Sequence, residues 1–172
     1  KVIGTEVYRR FVQASGLQAA ISLALSEKPL EQMRWEEIWD LSQKIRLQFL
    51  KAPLPEALQS VLIEELATLI DSPLVVRSSS VFEDTLGSSF AGLHDSLVNV
   101  NGREAVLKAV KEVWSSLWSD RALMYFKELN LSVEESAMAV VVQEFVPGES
   151  SGVCFTKAPH SSDQLLIEAV PG

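Results

Sequence analysis

An arginine stands where a short apolar run ends, and the residues beyond it suit the binding of an anion. The run 74–76 reads Leu-Val-Val and leads directly into Arg77 and three serines. Gly92 and a second, largely apolar segment at 97–100 follow. A guanidinium keeps its charge at any working pH and offers a planar fork of donors that matches phosphate oxygens. The pattern therefore favours a site that holds an anion, with phosphate as the first candidate.

Other interpretations of this segment stay open at the level of sequence. Arg77 could form a structural ion pair with Glu83 or Asp84, which needs no ligand. The serines at 78–80 could be a solvated loop or the cap of a short turn. Adjacent acids on a loop are more often caps or solvated charges than metal ligands, so we assign no metal to Glu83 and Asp84.

The histidines, the cysteine and the tryptophans give weaker signals. His94 is expected to be a hydrogen-bond donor at most, and not a phosphoryl acceptor, because it lies in the glycine turn beside the expected phosphate site. His160 lies in a polar loop and is expected to be exposed. Cys154 has β-branched and aromatic neighbours and is expected to be a small buried residue, not a nucleophile. The four tryptophans are expected in the core or at packing contacts: Trp35, Trp39, Trp114 and Trp118.

Composition and charge exclude several classes of protein. The 172 residues are 47% apolar, which suffices for one domain with a proper core. A net charge of -8 argues against general affinity for nucleic acid or acidic membranes, since phosphate backbones are bound through surplus Lys and Arg. The single cysteine cannot form an internal disulfide and fits a reducing, cytoplasmic setting. No apolar stretch approaches the roughly 20 residues that span a bilayer. The chain starts without methionine and stops within an apolar, strand-like run, so we expect it to be a piece of a longer protein.

Hydrophobic periodicity predicts helices over the first seventy residues. Thr5 is predicted to cap a first helix that runs to about Ser15 and stops at Gly16. Three further helices are predicted at about 17–26, 35–49 and 57–70, each followed by proline.

Strand patterns prevail beyond Pro73, so we place a boundary near residue 72 and divide the chain into parts 1–72 and 73–172. Strands are predicted at 74–76, 96–100, 137–145, 152–156 and 165–169, and we expect the last two to complete a mixed or antiparallel sheet. One long amphipathic helix is predicted at about 103–129. This order favours an α+β fold over a doubly wound parallel sheet.

Four segments, read together, resemble the N-terminal nucleotide-binding domain of the phosphoenolpyruvate synthase and pyruvate phosphate dikinase family. That domain has an ATP-grasp type fold. The segments are Thr-Glu-Val-Tyr-Arg-Arg-Phe at 5–11, Val-Val-Arg-Ser-Ser-Ser at 75–80 with its continuation to Gly92, the runs 140–146 and 151–156, and Ile-Glu-Ala at 167–169. Their order and spacing cover nearly the whole chain.

The resemblance implies a role for each of these segments. Arg77 would contact the phosphates of ATP, as both a binding and a catalytic residue. The turn would cover the phosphates with backbone N–H groups of Gly92, Leu93, His94, Asp95 and Ser96. The adenine would be read by the main chain of a hinge made of Gln143, Glu144, Phe145 and Val146.

The resemblance also implies parts that lie outside these 172 residues. They are an upstream phosphate-binding lysine, a downstream glutamate for Mg²⁺, a Gln-x-Arg strand, a swivelling phosphohistidine domain and an acceptor-binding domain. The expected activity of the full-length protein is transfer of a phosphoryl group from ATP through phosphohistidine to pyruvate, and the fragment alone is expected to be inactive. The alternatives are a rifampin phosphotransferase-like enzyme, a non-catalytic nucleotide-binding module, and a purely structural domain without nucleotide affinity.

Overall fold

The computed structural model describes residues 1–80, 94–156 and 164–171, with only the main chain described at Ser80. The helices of this part are α1 Thr5–Ala14, α2 Leu17–Glu27, α3 Trp35–Lys51, α4 Glu56–Leu66, α5 Arg103–Ser116 and α6 Asp120–Glu128. The strands are β1 Val2–Ile3, β2 Leu74–Ser80, β3 Ser96–Val100, β4 Met138–Glu144, β5 Ser150–Phe155 and β6 Leu166–Pro171. None of the helices in the described ranges is long and apolar enough to cross a membrane.

The strands form two antiparallel sheets. Four of them lie in the order β1-β4-β2-β3, so β3 is an edge strand and β2 lies between β4 and β3. β5 and β6 pair with each other as a separate two-stranded sheet. The predicted α+β class is confirmed, and of the two predicted forms of the sheet the antiparallel one is observed within the described residues. The expectation that the last two strands complete the same sheet is wrong, because among those residues β5 and β6 pair only with each other.

Helices cover one face of the four-stranded sheet. Leu74 and Val76 of β2 and Val140 and Val142 of β4 are fully buried and belong to one core cluster with the helices. Successive side chains of a strand point to opposite faces, so the residues between them lie on the other face. We call that other face the open face of the sheet.

The hydrophobic core joins residues from both predicted parts of the chain. It includes Phe11 and Phe49 from the first part and Trp114 and Val140 from the second. The rings of Phe11 and Trp114 stack with their centroids 5.2 Å apart, and Phe49 lies 5.9 Å from Phe11. The division at residue 72 coincides with the change from helices to strands and stays a prediction as a domain boundary.

The first helices match their predicted positions, with one correction at the N-terminus of α1. Gly4, not Thr5, is the N-cap residue, and Thr5 is the first residue of the helix. Gly16 ends α1 in the left-handed conformation, at φ +74°, where a residue with a Cβ would be strained. The prediction that Gly16 stops this helix is confirmed.

The single long helix predicted at 103–129 is wrong, because the structure has two helices there. α5 ends at Ser116, and the side chain of Ser119 caps the next helix by accepting a hydrogen bond from the N–H of Ala122 at 3.2 Å. The predicted buried face is confirmed, since these residues are all buried: Val106, Val110, Val113, Trp114, Leu117 and Trp118.

Burial differs from the sequence prediction at three positions. Trp114 and Trp118 lie in the core as predicted, but Trp35 and Trp39 on α3 are 57% and 45% exposed. A helical period places both residues on one stripe without revealing whether another element covers that stripe. Cys154 is exposed, and the expectation of a buried residue is wrong because both faces of the β5–β6 sheet are exposed. His160 lies outside the described residues.

The carboxylate of Glu37 stabilises the start of α3. It accepts a hydrogen bond from the backbone N–H of Arg34 at 2.7 Å and pairs with the ammonium of Lys28 at 2.7 Å. These two contacts, the backbone hydrogen bond first, lower the pKa of Glu37 from 4.5 to about 2. The first contact is one half of a capping box.

We predict that Glu37→Gln lowers the free energy of unfolding in a pH-dependent way. A carboxyl whose pKa is depressed in the folded state stabilises it above the unfolded pKa of 4.5, and this contribution is lost as pH falls towards about 2. Urea unfolding between pH 2 and 7 should show a wild-type advantage that is constant above pH 4.5 and shrinks below it. Glu36→Gln, in the same helical turn, is the matched control. An advantage of constant size down to pH 2 would contradict the prediction.

Candidate functional site

The open face of the sheet presents a strip of small apolar and polar side chains around Arg77. In β2 the residues that alternate with the buried ones are Val75, Arg77 and Ser79. Their register partners in β4 are Gln143, Val141 and Ala139, in that order. Opposite side chains in an antiparallel pair share a face. Gln143 therefore lies on the same face as Arg77. On β4 it is two residues beyond Val141, the register partner of Arg77.

Arg77 is exposed at the centre of this strip. It is paired with Val141 of β4 on one side and with Ser96 of β3 on the other. No carboxylate of the described residues lies within ion-pair distance of its guanidinium, and Glu83 and Asp84 lie outside those residues. Within residues 1–80, 94–156 and 164–171, the surroundings therefore leave the guanidinium available to an anion from solvent.

Two side chains just before β3 contact the helices. Asp95 accepts a hydrogen bond from the guanidinium of Arg46, on α3, at 3.3 Å. The Nδ1 atom of His94 lies 3.4 Å from the carbonyl oxygen of Ser116, at the end of α5. The imidazole of His94 is thus directed to the helix layer. Gly92 and Leu93, the other predicted members of the turn, lie outside the described residues.

At the end of β4, one main-chain N–H already donates a hydrogen bond within the sheet region. The N–H of Phe145 donates to the carbonyl of Pro73 at 2.8 Å, so the main chain of Phe145 faces β2. The N–H of Val142 donates to Lys1 on the opposite side of β4. Because alternate residues of an extended strand direct their main chain to the same side, Glu144 faces the side of Val142. Of the predicted hinge, Glu144 and Val146 are therefore better placed than Phe145 to offer polar main-chain atoms.

The predicted hinge and the predicted phosphate site lie at different positions along β2. Glu144 is the register partner of Leu74, whereas Ser96 is the partner of Arg77. Three residues of strand separate these two levels, which corresponds to about 10 Å. That separation is of the order needed between the base and the phosphates of one nucleotide.

Arg46 is the residue near this site that the sequence interpretation missed. It lies in the middle of α3, 49 positions from its partner, and nothing in the helical pattern distinguishes it from the other charged residues of that helix. Among the described residues, no group of three or more His, Cys, Asp or Glu side chains could hold a metal ion. We therefore assign no metal ligand in this part of the chain.

The whole chain, residues 1–172, matches the protein family described as pyruvate phosphate dikinase, AMP/ATP-binding domain. The chain belongs to this family. Phosphoenolpyruvate synthase of Aeropyrum pernix is 40% identical over 99% of the chain, and the match covers 22% of that relative. A probable phosphoenolpyruvate synthase of Methanocaldococcus jannaschii is 35% identical over 99% of the chain and 15% of that relative.

The chain also matches a rifampicin phosphotransferase. Rifampicin phosphotransferase of Streptomyces sviceus is 34% identical over 99% of the chain and 20% of that relative. The chain thus spans about a fifth of the length of these curated relatives. The resemblance that the four sequence segments indicated is confirmed at the level of the family and its AMP/ATP-binding domain.

Proposed function

We propose that this chain forms part of an ATP-grasp type nucleotide-binding domain in a dikinase-type phosphotransferase. The observation that carries the proposal is the exposed guanidinium of Arg77 on the open face of a sheet, in a chain that matches the AMP/ATP-binding family over its full length. A permanently charged cation on β2, paired across the sheet with a small hydroxyl residue, Ser96, suits an anionic ligand.

Each part of the site has a distinct role in this proposal. Arg77 binds the phosphates of ATP and stabilises the negative charge that spreads over the phosphoryl oxygens during transfer. The main chain from Gly92 to Ser96 covers the phosphates with N–H groups, which is a common form of anion site. Glu144 and Val146 offer main-chain atoms to the adenine edge, while Gln143 and Phe145 flank that edge. Phosphoryl transfer requires chiefly such positioning and charge stabilisation.

The full-length protein, in this proposal, converts ATP, pyruvate and water to AMP, phosphoenolpyruvate and phosphate. The phosphoryl group passes through a histidine on a separate swivelling domain before it reaches pyruvate in an acceptor domain. Mg²⁺, held by residues outside this chain, neutralises charge on the phosphates. The 172-residue chain alone binds only part of the nucleotide and does not turn over.

A second acceptor is favoured by one specific observation. The Streptomyces sviceus rifampicin phosphotransferase matches 99% of this chain at 34% identity, so the same nucleotide domain suits an antibiotic acceptor. A third possibility, a nucleotide-binding module without catalysis, has the same site but no phosphoryl transfer. The nucleotide site is common to all three, and only the acceptor and the transfer differ.

The test is nucleotide binding followed by a choice of acceptor in the full-length protein. Calorimetry should show binding of Mg-ATP, and mixing with ATP and pyruvate should release AMP and phosphate. AMP release with rifampicin and not with pyruvate would favour the second acceptor. Binding without transfer to either acceptor would favour the non-catalytic module. Absence of binding heat at millimolar Mg-ATP would refute the nucleotide site.

A further inference from the structure

We propose that Arg46 is a positioning residue for the phosphate-binding part of the site, and that it acts through Asp95. This inference rests on the proposed function, because it concerns the main chain that would cover the phosphates. Arg46 makes no contact with the nucleotide in this proposal. Its side chain, on α3, holds the start of β3 in the position that binding requires.

The ion pair joins two elements that are distant in the sequence. The guanidinium of Arg46 lies 3.3 Å from the carboxylate of Asp95, and only a third of the Arg46 side chain is exposed. α3 is held firmly at its C-terminal end, where the ammonium of Lys111 donates to the carbonyls of Leu50 and Ala52, each at 2.9 Å. Arg46 therefore extends from a fixed helix and not from a loop.

The start of β3 needs such an attachment because of its place in the sheet. Among the described residues β3 is an edge strand, and its first residue, Ser96, is paired with Arg77 of β2 and with no other strand. Strand ends with one neighbour open at low free-energy cost. An attachment at Asp95, immediately before Ser96, therefore opposes opening at this end of β3.

Two contacts supply the anchor from the helix side. Asp95 is held by Arg46, and the Nδ1 of His94 lies within 3.4 Å of the carbonyl of Ser116. Both contacts involve residues immediately before Ser96, the residue level with Arg77 on the sheet. The N–H groups at 94–96 are thereby held beside the backbone of Arg77 before any nucleotide binds.

Preorganised N–H groups bind an anion more tightly than mobile ones, because less conformational entropy is lost on binding. Arg46 lies on α3, in the helix layer, and Arg77 lies on the open face. The two arginines therefore have different roles: Arg77 meets the phosphates, whereas Arg46 holds the strand that presents the N–H groups. Loss of Arg46 should weaken the binding of phosphates and leave the binding of the base unchanged.

The experiment compares two single variants and their double variant in the full-length protein. Arg46→Met keeps the apolar stem and removes the charge, and Asp95→Asn removes the acceptor charge and keeps the main chain. Each single variant should raise the Kd for Mg-ATP about fivefold, the equilibrium equivalent of the stronger partly exposed ion pairs. The double variant should be no weaker than either single variant, and adenosine should bind all three as it binds wild type. Arg10→Met is the matched control, since it removes an ion pair of the same 3.3 Å length, with Glu6 on α1.

The outcomes separate this inference from the proposed function. If wild type fails to bind Mg-ATP, the proposed function itself fails. If wild type binds and Arg46→Met binds equally well, only the role of Arg46 is refuted. Weakening by Arg46→Met without weakening by Asp95→Asn would indicate direct contact with the nucleotide and overturn the positioning role. Equal weakening for ATP and adenosine would indicate a general structural loss and overturn it as well.

Discussion

Replacing Arg77 by alanine should raise the Kd for Mg-ATP by roughly 10- to 150-fold. This range corresponds to the loss of about 1.5–3 kcal/mol, the typical contribution of a hydrogen bond to a charged group. The fold should be unaffected, because the side chain is exposed on the open face and forms no ion pair within the described part of the chain. The rate of phosphoryl transfer should fall further than binding alone requires, since the guanidinium also stabilises charge in the transition state.

Calorimetry with Mg-ATP and with adenosine, together with the rate of AMP release, tests this prediction. Adenosine lacks phosphates and should bind the variant and wild type equally. Arg77→Lys should recover part of the affinity, because an ammonium restores the charge but not the planar fork. Arg103→Ala, at the exposed start of α5, is the control. An unchanged Kd and an unchanged rate in Arg77→Ala would remove Arg77 from the site.

The sequence predicts the elements of this fold better than their connections. The runs at 74–76, 96–100 and 137–145 are rich in β-branched residues, and each contains or lies within a strand of the four-stranded sheet. The break between α5 and α6 is not predicted, because Leu117 and Trp118 continue the apolar helical period up to Ser119. The separate β5–β6 sheet is not predicted either, since strand pairing depends on contacts that no local pattern contains.

At the candidate site, too, the sequence predicts the local element but not the contacts between residues that are far apart in the chain. The short apolar, β-branched run that ends at Arg77 predicts a strand, and in the structure that strand directs Arg77 to the face opposite the helices. The ion pair between Arg46 and Asp95 could not be predicted, because it depends on how α3 packs beside the edge strand. Likewise, the use of the Phe145 N–H by Pro73 follows from the register of β2 and β4, which the sequence leaves open.

Replacing Trp114 by alanine should lower the free energy of unfolding more than Glu37→Gln or any of the substitutions at the nucleotide site. Trp114 is fully buried, stacks on Phe11 at 5.2 Å and meets the ring of Tyr8 edge-on at 6.0 Å. Truncation leaves a cavity where α1 and α5 meet, and such a change typically costs about 3–5 kcal/mol. For a chain of this length the melting temperature should fall by roughly 6–20 °C. Far-UV circular dichroism measures this without relying on tryptophan fluorescence.

The matched control for Trp114→Ala is the replacement of an exposed tryptophan, Trp35, by alanine. Trp35 is 57% exposed at the start of α3, so Trp35→Ala should change stability by only about 0.5 kcal/mol. Trp114→Phe should cost less than Trp114→Ala, because it keeps an aromatic ring and removes an indole N–H that has no hydrogen-bond partner within the described residues. Equal losses for Trp35→Ala and Trp114→Ala would contradict a core built around Trp114. In that event the helices would not be held against the sheet through this core, and the open face would lose the rigid support on which the proposed nucleotide site depends.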